Sequence, residues 1–452
     1  MGTELLLKRR AFMKWAAALP LLAQINLQEA FGAGWKGVEK TAKENIYTRL
    51  GVKPLINARG TWTYISASLE LPEVRAAQEE AARHFVNIFD LQHAVGRRLA
   101  ELSGAESGMI TSGAAGAIAS ATAACIAGSD PEKIWQLPDT TGLKHEVIML
   151  GGRISFDNAI RLAGGKLVVI GRSPEELQNA ITENTAMIYT QSWAQRSPDQ
   201  MSVFVKDLAI AKAAKVPLLL DSAAGIPPME NLRLWWKLGC DLYCFSGGKG
   251  LCGPQSSGLL LGRKDLIEAA LYNTSPWEGA VCRPMKVGKE EIMGCLAAVE
   301  AWLKMDEPAL NREWAARAQR IGKLVETVPG VTAEVPQLTE KSGMNSSTVT
   351  ISWDQQGWGF TVADCAQKLL DGTPAISVTA AGNPSDVLSR NGPPKPGSVE
   401  MLWPGGFGGA ANPHPQLKIT TTQLQPGEEI IVGRRLREVL SAARKGSQVA
   451  PS

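Results

Sequence analysis

Histidine is scarce in this 452-residue chain, with four in all, at positions 84, 93, 145 and 414. The seven cysteines, at 125, 240, 244, 252, 282, 295 and 365, are sparse too and odd in number. Together they offer no metal-ligand spacing beyond a lone C-x3-C, so no metal site is expected. They read as buried thiols rather than as a disulfide framework. Excess charge is also missing: 47 basic against 44 acidic residues leave a formal +3, spread without long runs. That gives no electrostatic footprint for a nucleic acid. Nor is there an apolar run of roughly 20 residues, the length that a membrane span needs. At 44% hydrophobic, the chain can bury a large core divided among two or three domains.

The N-terminus has a character of its own. "LLLKRRAFMKWAAALPLLAQ" joins Arg9 and Arg10 to Phe12 and Lys14 and then to a short apolar run from Trp15 to Ala23. This resembles a twin-arginine export signal, in which the arginines are the receptor-read address. An amphipathic first helix is the plainer alternative. "EAFGAG" supplies small residues for a peptidase, so the mature chain is expected to begin between Phe31 and Trp35. On this reading residues 1–33 are the signal, the protein is periplasmic, and it meets the membrane only during export. Twin-arginine export carries folded proteins, commonly with a cofactor already inserted, and folding in a reducing cytoplasm suits the unpaired cysteines.

From about Gly108 to Gly262 short apolar runs alternate with helix-period segments, the pattern of βαβ units in a largely parallel sheet. The class is α/β. "GMIT" precedes an Ala-rich stretch, "EVIML" precedes "FDNAIRLAGG", and "KLVVIG" precedes "SPEELQNAI", where Ser173 and Glu176 have capping-box spacing. "AMIYTQS", "VPLLL" and "DLYCF" follow, the last leading into "SGGKGLCGPQSSG". From Lys289 long helices take over, followed by alternating stretches such as "STVTISW" and a closing "EEIIVGRRLREVL". The expected division is an arm at 34–60, a large domain at 61–288 and a smaller α+β domain at 289–445. The Gly/Pro-rich segment 391–415 reads as loops around one short strand.

Three strand ends carry the chemistry, and open α/β sheets bind ligands at the carboxyl ends of their strands. Ser112 opens a helix after "GMIT". Its hydroxyl and the first backbone N–H groups suit a phosphate dianion, and Gly113, Ala114 and the alanines that follow let the anion approach. Read alone, this is simply a Ser-capped core helix. Asp221 ends "VPLLLD". It is either a turn residue or a carboxylate beside a pyridinium nitrogen. Lys249 sits among glycines and serines, either solvated or as a desolvated amine that forms a Schiff base. Ser246, three residues earlier, offers a second hydroxyl for a phosphate. Pyridoxal 5'-phosphate calls for this set together, so the small residues around Lys249 are expected to clear space for a flat cofactor.

"YTRLGVKPLINARGTWT", "HFVNIFDLQHAVGRRLAELSGAESGMITSGAAGAI", "VPLLLDSAAGIPPMENL" and "SGGKGLCGPQSSGLLLGRKDLIEAA" resemble the selenocysteine-synthase-like group of fold-type-I pyridoxal-phosphate enzymes. That group includes bacterial seryl-tRNA selenium transferase and the D-glucosaminate-6-phosphate ammonia-lyases. The resemblance spans about Tyr47 to Leu440. It implies the Schiff-base role for Lys249, the ring-nitrogen role for Asp221, phosphate contacts near Ser112, Gly113 and Ser246, and a homodimer or higher assembly.

The chain also departs from the group's pattern. Cys252 stands where arginine is expected, and "MLGGRISFDNAIR" lacks the histidine that commonly follows this strand. Arg153 and Phe156 are therefore the candidates for stacking on the ring. Gln191 is a candidate for the cofactor's phenolic oxygen; Arg59, Lys286 and Lys289 are either solvated salt-bridge residues, the default, or contacts for a substrate carboxylate or a partner subunit's phosphate. The expected protein is an exported enzyme working on an amino acid or amino sugar acid through a Cα carbanion, with ammonia-lyase β-elimination preferred. Racemisation, transamination and selenium transfer remain open, as does a non-catalytic scaffold that keeps the fold.

Overall fold

The computed structural model describes residues 44–154, 156–192, 197–335, 347–380 and 416–449. The expected signal, its cleavage site and the Gly/Pro-rich segment 391–415 lie outside the described residues. The described residues divide between Pro54 and Leu55 into two compact units. In the first, a 3-10 turn at Thr48–Leu50 is opened by Asn45, whose Oδ1 accepts from the Tyr47 and Thr48 N–H groups at 2.8 and 3.0 Å.

The second unit starts with β1 (Leu55–Asn57). Its main sheet contains β2 (Ser107–Thr111), β3 (Glu146–Leu150), β4 (Lys166–Ile170), β5 (Thr185–Gln191), β6 (Leu218–Asp221), β7 (Leu242–Ser246) and β8 (Gly258–Gly262). Across the sheet the order is β2-β8-β7-β6-β5-β3-β4. β8 runs antiparallel to both neighbours, and the other strands all share one direction. These strands are nearly all apolar because both of their faces are covered, as parallel sheets require. On one face lies the Gly113–Ala127 helix, so rich in alanine that it packs closely while buried almost all round. The other face packs on Leu99, Phe204, Leu232, Trp235 and the Lys289–Trp302 helix.

Local signals explain where several helices begin. Ser173 and Glu176 form the capping box that their spacing suggests, and Ser197 and Gln200 form a second one. Each exchanges two bonds between side chain and backbone, satisfying N–H groups that a helix start leaves open.

A second sheet follows, of β9 (Val331–Glu334), β10 (Thr348–Trp353), β12 (Thr379–Ala380) and β13 (Leu417–Thr420), while β11 (Ala375–Ser377) pairs in parallel with β1. Ile56 and Ala58 thus enter the same core as Ile321, Val349 and Leu436. The Lys289–Trp302 helix instead buries Ile292, Cys295, Val299 and Trp302 in the core of the main sheet.

Candidate active site

Strand register gathers the sequence candidates on one sheet edge. Gln191 pairs with Asp221, Asp221 with Cys244, and Ser246 with Gly258. Tyr189, Leu219 and Cys244 belong to the core beneath the Gly113–Ala127 helix. Side chains alternate along a strand, so Gln191, Asp221 and Ser246, each two residues further on, share that face. Gly258 carries the row to the helix itself: a Cβ on it would lie 2.4 Å from the Gly113 carbonyl carbon. Helix start, carboxylate and lysine loop are therefore neighbours along a single line.

Asp221 is 5% exposed. Its Oδ1 accepts from the Ala223 N–H at 2.9 Å, with the Cys244 thiol 3.8 Å away, and its Oδ2 accepts from the Tyr189 hydroxyl at 2.7 Å. Tyr189 is 1% exposed. Burial first, and then the charge of Asp221, pushes its phenol well above the ordinary value. The same two causes, in the same order, raise the Cys244 thiol, while Lys249 opposes them. Both groups stay protonated and donate to the carboxylate. Sequence reasoning missed this tyrosine. The available signal was its place in "AMIYTQS", two residues before a strand end and one strand from Asp221.

Lys249 is half-buried in the loop between β7 and β8. Its carbonyl accepts from the Cys252 N–H at 3.0 Å, and the loop closes through Gly247 N–H to the Ser257 carbonyl and Gly253 N–H to the Gly247 carbonyl, both at 2.8 Å. The Ser68 hydroxyl bonds the Gly248 carbonyl at 2.8 Å, and the Trp302 indole bonds the Leu251 carbonyl at 2.9 Å. Gly250 has a packing task within the loop. A Cβ on Gly250 would lie 2.0 Å from the Ile226 carbonyl oxygen, so this glycine lets the loop press against its own neighbours. The Lys249 ammonium faces the Phe156 ring, 6.0 Å from its centroid.

At the start of the Gly113–Ala127 helix Gly113 has φ +73°, which turns the chain from β2 into that helix. Ser112 is the N-cap residue, yet its side chain makes no capping bond. The caps Asn87, Asp130, Ser173, Ser197, Asp306, Asp354 and Thr361 all make one. The N–H groups at the start of this helix thus have no side-chain cap, as an anion cradle needs.

The remaining candidates separate. Arg153 grips both oxygens of buried Asp157, at 2.8 and 2.9 Å. That leaves Phe156 as the ring beside the lysine. Cys252 has φ +52°, sits 3.6 Å from the Gly250 carbonyl, and has its thiol pushed up to about 11 by burial. Arg59 is buried, 5.0 Å from the Trp62 ring and 5.3 Å from the Tyr64 ring, and donates to the Val378 carbonyl at 3.3 Å. Lys289 pairs with Glu290, while Lys286 is exposed. Among the described residues no cluster of His, Cys, Asp and Glu could hold a metal ion.

Residues 56–309, more than half of the chain, match the L-seryl-tRNA selenium transferase family. The chain is 32% identical to a D-glucosaminate-6-phosphate ammonia lyase of Salmonella typhimurium over 74% of its own length and 88% of the lyase. It is 31% identical to a 5'-C-glycyluridine monooxygenase-decarboxylase of a Streptomyces species, over 73% of this chain and 83% of that one. A solved structure of D-glucosaminate-6-phosphate ammonia-lyase superposes with a TM-score of 0.70 at 28% identity, covering 89% of this chain and 99% of the lyase.

Proposed function

The chain belongs to the L-seryl-tRNA selenium transferase family, and from that membership we propose that it is a lyase that eliminates ammonia from an amino acid or amino sugar acid. Its cofactor is pyridoxal 5'-phosphate. One observation carries the reading: a single sheet edge holds Lys249 against an aromatic ring, a buried carboxylate that accepts hydrogen bonds, and a helix start without a side-chain cap. The bound cofactor supplies an electron sink for the bonds at the substrate's Cα.

The chain's own residues do the rest. Ser112, Gly113, Ala114 and Ser246 would hold the phosphate at the helix start. Asp221, held in place by the Tyr189 hydroxyl and the Ala223 N–H, would hold a proton at the ring nitrogen, with Gln191 beside it on the next strand for the phenolic oxygen. Phe156 would cover a face of the ring beside Lys249. Lys249 would tether the cofactor and carry the proton taken from Cα. The 32% identity to an ammonia lyase over 88% of that protein supports elimination over the other outcomes. The test supplies D-glucosaminate 6-phosphate and a panel of D- and L-amino acids and measures ammonia and keto acid. Ammonia released with stoichiometric keto acid supports the lyase. Inverted amino acid, or keto acid formed only with an amino acceptor, moves the assignment to a racemase or aminotransferase.

The reading includes export by the twin-arginine route to the periplasm, supported by Arg9, Arg10 and the apolar run after them. A reporter fused to residues 1–40 should leave the cytoplasm, and should stay there once both arginines are replaced by lysine. It also includes a homodimer or higher assembly, which light scattering of the purified protein tests.

A further inference from the structure

Asp221 needs its orientation and its charge fixed by the protein. The Ala223 N–H that bonds Oδ1 is a backbone group and does not depend on side-chain identity. Tyr189 is a different matter. It reaches Oδ2 from the neighbouring strand at 2.7 Å, and no other described side chain bonds that oxygen. We propose that Tyr189 is a positioning residue: its hydroxyl locks the Asp221 carboxylate in one orientation and disperses part of its charge, setting how strongly the bound cofactor draws electrons. The inference rests on the cofactor reading above.

The surroundings sharpen it. Around Asp221 the titratable groups are Tyr189 from β5 and Cys244 from β7, with Lys249 acting on Cys244 from the loop. The helix covering this face, GAAGAIASATAACIA, brings no charge, and its ionisable residue, Cys125, lies near the far end. A carboxylate can accept about four hydrogen bonds, so the tyrosine leaves acceptor capacity for a ligand. Loss of the tyrosine donor would concentrate negative charge on Asp221 and favour the protonated, cationic form of the chromophore.

A buried hydroxyl can also serve stability alone, and Tyr243 provides the comparison. It is 0% exposed, lies on the opposite face of the sheet, and donates to the Leu232 carbonyl at 3.0 Å. The experiment loads the full chain with pyridoxal phosphate and titrates its visible absorbance against pH. It compares the wild type with Tyr189→Phe, Tyr243→Phe and protein carrying 3-fluorotyrosine at position 189. Tyr189→Phe should raise the midpoint by about half a unit or more. The fluorinated phenol, a stronger donor of nearly the same shape, should lower it. Tyr243→Phe should leave it in place while lowering the melting temperature. A Tyr189→Phe midpoint equal to wild type, or moved no further than that of Tyr243→Phe, overturns the inference. If Tyr189→Phe does not fold, an unchanged or raised midpoint in the fluorinated protein does the same. A wild type that shows no visible band with pyridoxal phosphate overturns the cofactor reading and this inference with it.

Discussion

Gly258 on β8 lies so close to Gly113 that a methyl group on it would stand 2.6 Å from the Gly113 carbonyl oxygen and 2.7 Å from the Ala114 nitrogen. The strand paired with Ser246 is thus pressed against the turn that aims the helix start at the edge of the sheet. Gly258→Ala should push that turn away. The expected cost is about 1–3 kcal/mol in stability, with pyridoxal phosphate binding weakened by about tenfold. Thermal melts and fluorescence titration measure the two. A lower melting temperature with unchanged cofactor affinity would show that the helix start does not hold the phosphate.

The lysine loop should depend on a residue far along the chain. Trp302 closes the Lys289–Trp302 helix and donates its indole N–H to the Leu251 carbonyl at 2.9 Å, both residues being buried. Trp302→Phe leaves that carbonyl unpaired at a cost of about 1–3 kcal/mol. Hydrogen exchange should then quicken at the Cys252 and Gly253 amides, which close the loop on Lys249 and Gly247. Exchange at those two amides that matches wild type would contradict the brace.

Stability should depend on pH through Asp207. This carboxyl is 6% exposed, its Oδ1 has no hydrogen-bond partner, and burial, opposed by Arg172, pushes it up to about 7. The folded protein keeps a proton that the unfolded chain gives up near the usual value of about 4. Stability from this group is therefore full below about pH 4, falls as pH rises to about 7, and is level above that. Asp207→Asn should gain about 2–4 kcal/mol relative to wild type at pH 8 compared with pH 4.5. Urea unfolding at the two pH values measures the difference, and parallel behaviour of the two proteins would contradict the assignment.

Much of the main sheet was legible because its strands are short apolar runs bounded by turn signals, and the Ser173 capping box was readable letter by letter. The row of Ser112, Asp221, Ser246 and Lys249 was legible for the same reason, since strand ends in such a sheet share an edge. What stayed hidden depends on register and on close approach. Tyr189 gains its meaning only when β5 pairs with β6, and Gly250 only when the Ile226 carbonyl is seen against it. Helical periodicity could show an apolar face on the Lys289–Trp302 helix, but not that this face meets the main sheet.

We propose that Lys249, in the loop beside Asp221, tethers pyridoxal phosphate. The most direct measurement is the absorbance spectrum of the purified full chain beside Lys249→Ala, each after incubation with pyridoxal phosphate and removal of the unbound excess. The wild type should show a visible band that survives gel filtration and is released as free pyridoxal phosphate on denaturation, and a Lys249→Ala protein that melts normally should show no such tethered band. A wild type that stays colourless, or a Lys249→Ala protein with the same band, would contradict it.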